Sequence, residues 1–352
     1  MWDVVIAGSG PAGAVAALVL ARTNHRVLLV DDVKSGVRKV GESLPGAARP
    51  LLRDLGLLAC VENGSHLPSY GNVSAWGADK LATTDFIRDP HGLGWHLDRF
   101  EFDAALRAAA KDAGTVWCVE RLHRVTPTES GWHVHLTNSA TSARWLIDAT
   151  GRRAIIARLQ GALRHRDDSL VALCTWAVPR NTDANSQTLV ESTPDGWWYT
   201  ALLPDGIRVV VFHTDADTAA LIRRTPAAWE AHLSRSAHVR YLLSEEMEKV
   251  NLDVVEACGA RLNRFAGKNW LATGDAALSF DPLSSQGIFN ALYTGMKAGQ
   301  AVRAALAGDP EAIEGYKSRL EEIRAAYLRQ HRLVYQAERR WVDQPFWARR
   351  QL

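Results

Sequence analysis

Three glycines open this 352-residue chain in the spacing Gly8-x-Gly10-x-x-Gly13, and Asp31 ends the next apolar run. That spacing suits a dinucleotide. The first glycine permits a tight turn, the second lets backbone approach a pyrophosphate, and the third lets a helix pack on a strand. In the loop Gly8-Ser9-Gly10-Pro11-Ala12-Gly13, the start of a helix would then offer free N–H groups and a positive dipole end to the phosphates. Asp31, with Asp32 beside it, is placed to accept the hydroxyls of an adenosine ribose. An acid there disfavours a 2′-phosphate, which leaves FAD or NAD rather than NADP.

A second construction, "GDAALSFDPLSSQGIFNAL", begins at Gly274. Asp275 falls at the C-terminal end of an apolar strand, where open α/β sheets bind ligands. A carboxylate at that place suits a polyhydroxylated chain such as the ribityl of FAD. Beyond it, Pro282 and Ser284 lead to a helix at Gly287 and Ile288, with Ser284 or Ser285 expected as its cap. A helix start aimed at a flavin stabilises the negative charge that gathers on reduction. NAD has no use for this second site, so the two motifs together point to FAD.

Both constructions need a sheet to hold them. "WDVVIAGSGPAGAVAALVLARTNHRVLLVDD" reads as strand, glycine turn, helix and buried strand, and "DRFEFDAALRAAAKDAG" as a helix capped by Asp98 and stopped by Gly114. From Asp167 to His213 the pieces "SLVALCTWAVP", "QTLVES", "GWWYTALLP" and "IRVVVFH" alternate as an antiparallel sheet. A mainly helical piece spans Asp215 to Glu248, and two long helices, roughly Ser285 to Leu306 and Pro310 to Arg339, close the chain. The expected fold class is α/β: a Rossmann-like FAD-binding domain with an interleaved antiparallel-sheet substrate domain and long C-terminal helices. The expected FAD unit is 1–166 plus 263–310, including part of a substrate cap near 66–97. The substrate unit is 167–262, and 311–352 is a helical tail.

Composition narrows the class further. The formal net charge of +2, with scattered Lys and Arg, gives no reason to expect nucleic acid. No apolar run approaches a bilayer span, and four cysteines without CxxC spacing suit a reduced, cytoplasmic protein. His123, His133 and His135 lack an acid or cysteine to complete a set, so no metal is expected. Thirteen tryptophans are many for this length; they either fill the core or line a pocket for a flat aromatic ligand.

The N-terminal glycine loop, "GVRKVGESLP", the Arg of "LDRFEFDAAL", "LIDATGRR" and "GDAALSFDPLSSQGI" resemble the FAD-dependent monooxygenase superfamily typified by p-hydroxybenzoate hydroxylase. Within it the chain is most similar to the tryptophan-halogenase branch. "GESLPGAARPLLRDLGL", "SAWGADKL", "GLGWHLDR" and "GWWYTALLPDG" look more like the flavoproteins that mature tryptophylquinone cofactors. The resemblance implies that Arg38, Glu42 and Ser43 strap the flavin, that Arg99 contacts the dinucleotide and Asp275 the ribityl, and that Pro282 and Gly287 shape the loop over the ring. The sequence departs from the halogenases in two places and from the hydroxylases in a third. Their Trp-x-Trp-x-Ile-Pro stretch is here "YTALLP", their lysine has no counterpart in "SYGNVSAWG" (Lys80 comes too late), and Thr150 in "DATG" stands where the hydroxylases have Asp.

The implied reaction is O₂-dependent hydroxylation of an aromatic ring through a flavin C4a-hydroperoxide, the ring being a tryptophan side chain of a partner peptide or protein. NADH or a separate flavin reductase would supply the electrons. Trp197 or Trp198 would stack on that indole beside Tyr199, and His96 or Glu42 would handle the proton. The rivals are a halogenase or C=C reductase acting on a small molecule, and a chaperone that carries FAD as a structural element. The oligomeric state is open.

Overall fold

The computed structural model describes residues 1–32, 38–180, 185–244 and 251–351. Trp2–Ala7 pairs in parallel with Val27–Val30 on one side and Ala140–Asp148 on the other. Val116–Cys118 and Trp270–Ala272 continue the parallel sheet outward. Both faces are covered, so Val4–Ala7 and Val27–Val30 are buried throughout, which is why they read as unbroken apolar runs rather than alternating ones.

The helix Pro11–Ala21 is buried almost all round. It packs along the long helix Gly287–Leu306 and against Arg99–Asp112. A Cβ at Gly295 would stand 2.3 Å from the Ala12 carbonyl oxygen, so this glycine lets the two helices lie nearly backbone to backbone. Asp98 caps Arg99–Asp112 as expected, its Oδ1 accepting from the Glu101 N–H at 2.9 Å.

A seven-stranded sheet runs in the order Asp253–Glu256, Leu170–Ala177, Arg208–Asp215, Gly196–Leu202, Thr188–Thr193, Gly71–Ala75, Ala82–Asp85. Every pair in it is antiparallel except Thr188–Thr193 with Gly71–Ala75. One face carries Leu173, Trp198, Val210 and Phe212 against the helices Ala216–Arg224 and Pro226–Ser234. The helical run expected to Glu248 passes, at its end, outside the described residues. A small sheet of Ser43–Leu44, Gly94–His96 and Leu67–Ser69 pairs Ser43 with His96, and the Glu42 carbonyl just before it accepts from the Leu97 N–H.

Two expectations change at the C-terminal end. Neither Ser284 nor Ser285 caps Gly287–Leu306: Gln286 takes that position without a side-chain bond, and Ser285 adopts the left-handed conformation at φ 50°. Asp281 instead caps the preceding turn, accepting from the Leu283 N–H at 2.8 Å. The last long helix, Ala312–Ala337, is followed by a short helix, Pro345–Ala348, that buries Phe346 and Trp347. Four residues are too few to show a period in the sequence.

Candidate active site

A cavity of about 450 Å³ lies where the glycine loop, the Asp275 turn, the Pro282–Ser285 loop and the seven-stranded sheet meet. Its first wall is backbone. Gly10, Pro11 and Ala12 begin one helix and Gly287, Ile288 and Ala291 another, and neither helix has a side-chain cap. Two sets of free N–H groups therefore face one space, the arrangement that receives phosphate and a reduced flavin. Gly8 holds φ +99°, and a Cβ there would meet the Ala149 carbonyl oxygen at 2.1 Å, whereas nothing approaches Gly10 within 4 Å. That open side over Gly10 leaves room for a pyrophosphate, so the residues present fit a dinucleotide.

Outside the cavity, Asp31 accepts from the Ser9 N–H at 2.7 Å and the Ser9 hydroxyl at 2.8 Å, which pins the loop. Asp32 pairs with Arg121 and stands 3.8 Å from Arg153.

The second wall is charged. Asp275 lies 3.6 Å from the Arg152 Nε, and Arg164 donates to the Asp275 carbonyl at 3.0 Å. Burial pushes the Asp275 carboxyl up, against the pull of Arg152, Arg164 and Arg99. Arg152 also donates to the carbonyls of Cys258 at 2.7 Å and Phe280 at 3.1 Å, tying the strand end to the loop. The reading of "DATGRR" passed over Arg152, although a basic residue just past a small-residue turn at a strand end was the available signal.

The third wall is the free face of the seven-stranded sheet, carrying Ala172, Cys174, Tyr199, Val211, His213 and Val255. Register explains the set: Ala172 pairs with His213 and Val255, and Cys174 and Tyr199 both pair with Val211. The Tyr199 hydroxyl is hydrogen-bonded to Glu42 Oε1, and the Gly41 N–H donates to Oε2 at 3.0 Å. Burial pushes the Glu42 carboxyl above its ordinary range, opposed by Tyr199 and Arg99. Arg99 does not reach that carboxyl directly. It donates to the Gly41 carbonyl at 2.6 Å and pairs with Asp103 at 3.2 Å, which fixes the turn carrying Glu42 and Ser43. Burial pushes the Cys174 thiol up to about 12 and the His213 imidazole down to about 3, so both stay neutral.

Several expected residues stand elsewhere. Trp197 is fully buried behind His213, stacked on it at 3.6 Å, with its Nε1–H donating to the Tyr335 hydroxyl at 3.1 Å. Trp198 lies on the opposite face, stacked on Phe212 at 4.6 Å. Neither indole lines the cavity, because successive strand residues point to opposite faces and the one facing inward is screened. His96 is fully buried away from the cavity; its ring bridges the Leu202 carbonyl and the Thr188 hydroxyl, each at 3.0 Å. Burial holds it down to about 4. Arg38 pairs with Asp205 at 2.6 Å in an adjoining cleft of about 370 Å³, which shares Glu42 and Arg99 with the cavity but not Arg38 itself. Lys80 is exposed. His213 and Cys174 line the cavity unannounced by any local motif, and Asp281, within the "FDPLSSQG" stretch, lines it as well.

The sequence profile of the tryptophan halogenase family matches residues 3–60 and 79–351, so the chain belongs to that family. It is an FAD-dependent oxidoreductase. LodB of Marinomonas mediterranea, named as an FAD-dependent oxidoreductase, is 29% identical over 99% of this chain and 96% of its own length. A flavin-dependent halogenase of Armillaria mellea is 26% identical over 93% of this chain and 72% of its own. Among solved structures, the myxobacterial chondrochloren halogenase CndH superposes with a TM-score of 0.89 at 22% identity, over 100% of this chain and 86% of that one. The peptidyl tryptophan dihydroxylase QhpG, essential for tryptophylquinone cofactor biogenesis, gives 0.83 at 27% identity, over 99% and 78%. No helix among the described residues is long and apolar enough to cross a membrane.

Proposed function

We propose that the protein is an FAD- and O₂-dependent monooxygenase that hydroxylates the indole of a tryptophan held in a partner peptide or protein. Gly8, Gly10 and Gly13 hold the pyrophosphate in this reading, Asp31 the ribose and Asp275 the ribityl. FAD supplies the reducing equivalents that activate O₂; the chain's own residues bind it, exclude water and manage protons. The supporting observation is the Tyr199–Glu42 pair on the sheet wall, at the place where the halogenase stretch carries tryptophan. Lys80 is exposed away from the cavity, where a lysine of the halogenating kind has no use.

Under this reading, 1–166 with 263–310 forms the FAD unit and 167–262 the substrate unit. The four cysteines are unpaired, which fits a reducing, cytoplasmic setting. Halogenation of a small aromatic molecule is the second reading, favoured by the Armillaria relative.

One experiment separates them. The protein is loaded with FAD and supplied with NADH, a flavin reductase, O₂, bromide and either a tryptophan-containing peptide or free tryptophan. A gain of one or two oxygens on the peptide is expected. A brominated product, or reaction with free tryptophan alone, overturns the proposal.

A further inference from the structure

Arg107 differs from every other charged group in the interior. It is 6% exposed on the helix Arg99–Asp112, and among the described residues it has no hydrogen bond and no ion pair. Each other buried Asp, Glu or Arg among them has at least one. A buried charge without a partner is costly, which is why such groups are paired almost without exception. The Trp117 ring, 5.3 Å from the guanidinium, offsets part of that cost through its face. The planar fork of N–H donors is left unused.

No neighbouring carboxylate is free to fill it. Asp103, one turn back on the same helix, already holds Lys39 at 2.8 Å and Arg99 at 3.2 Å. Arg107 lines the cleft of about 370 Å³ that adjoins the cavity. The other carboxylates of that cleft are engaged as well: Asp205 with Arg38, Asp98 with the Glu101 N–H, and Glu42 with Tyr199 and the Gly41 N–H. Phe100, Trp176, Leu203 and Pro204 give the cleft apolar surface. Glu42 and Arg99 line both spaces, so one elongated ligand can occupy the two together.

We infer that Arg107 receives a carboxylate of the partner polypeptide, an Asp or Glu side chain near the target tryptophan, while the indole occupies the cavity. A guanidinium fork matches a carboxylate with two parallel bonds, and a peptide flank suits the apolar sides. The inference rests on the proposed reading of the substrate as a polypeptide. Its spacing follows from the helix. Arg99 borders the cavity, and Arg107 lies two turns further on, about 12 Å at 1.5 Å per residue. An extended peptide covers that length in about four residues. The phosphates of FAD are the other oxyanions at hand, but Arg107 does not line the cavity that holds the glycine loop.

Fluorescence anisotropy on the FAD-loaded protein without O₂ tests this with labelled peptides containing one tryptophan. They carry Glu, Gln or Lys about four positions from it, on one side or the other. The Glu peptide is expected to bind about tenfold tighter than the Gln peptide. The Lys peptide should bind more weakly than either, and added salt should shrink the preference. Arg107→Met keeps a long stem beside Trp117 and drops the charge. It should lose the preference while holding FAD as tightly as the parent, and Arg107→Lys should regain part of it. Equal binding of the Glu and Gln peptides to the parent overturns the inference, and that comparison needs no variant. Flavin loss from a folded Arg107→Met protein overturns it too, by assigning the missing oxyanion to FAD. Turnover of the same peptides at low concentration keeps the inference apart from the reading beneath it. Oxygen gained equally by the Glu and Gln peptides sinks the inference and leaves hydroxylation standing; a Glu preference in binding with no oxygen gained does the opposite.

Discussion

Of the cavity's three walls, the backbone wall and the sheet wall differ most in what they tolerate. On the glycine side the ligand-facing groups are N–H donors of two uncapped helices, held by approaches too close for any Cβ. On the sheet side the chemistry resides in Tyr199, His213 and Cys174, each placed by register, and in Glu42, carried by the turn that Arg99 fixes. A backbone site is set by geometry and suits one kind of ligand. A side-chain wall can be rewritten residue by residue while its sheet stays intact.

The hardest break in this contrast is Gly13→Val. A Cβ there would stand 1.9 Å from the Gly8 carbonyl oxygen, so the turn itself must open. The variant should retain no flavin absorbance and should melt far below the parent. Next comes Trp198→Ala, which empties a fully buried site between Phe212 and Trp229 on the sheet's far face. It should cost about 4 kcal/mol in chemical denaturation while flavin still binds, because that face does not touch the cavity. Asp275→Ala should do the reverse, weakening flavin binding by roughly a hundredfold, or about 3 kcal/mol, with little change in melting. A Trp198→Ala protein that folds normally but loses flavin would dissolve the distinction between the two sides.

That distinction also governs what could be read from the amino acids. Gly8, Gly10, Gly13 and the Gly274–Asp275 turn announce themselves because the backbone conformations they permit are local and their spacing is short. The parallel strands were legible for the same reason, as buried runs bounded by turns. The sheet wall was not. Choosing between Trp197 and Trp198 needs the register of three strands, and knowing that His213 screens Trp197 needs the next strand as well. His96 was misread because its type suggested a base, whereas Leu202 and Thr188 claim both of its nitrogens. Asp281 went unnoticed because its partners, His331 and Tyr335, lie some fifty residues further on, on the last long helix. Burial opposes its ionisation, and His331 and Tyr335 hold its carboxyl below the usual range nonetheless.

The smallest effect probes the sheet side alone. His96 and His213 are held down to about 4 and about 3 by burial, from an ordinary 6.5. Between pH 6.5 and 4 the unfolded chain therefore binds two protons that the folded chain refuses, and stability must fall as pH falls. Each histidine contributes a slope of about 1.4 kcal/mol per pH unit, and His232, lowered for the same reason though half-buried, adds to it. His213→Phe should keep the stacking on Trp197 and remove one such contribution, flattening the decline measured by urea denaturation between pH 6 and pH 5 by about 1.4 kcal/mol per unit. An unchanged slope would mean that water reaches His213 in solution, and the sheet wall would then be open where the structure shows it closed.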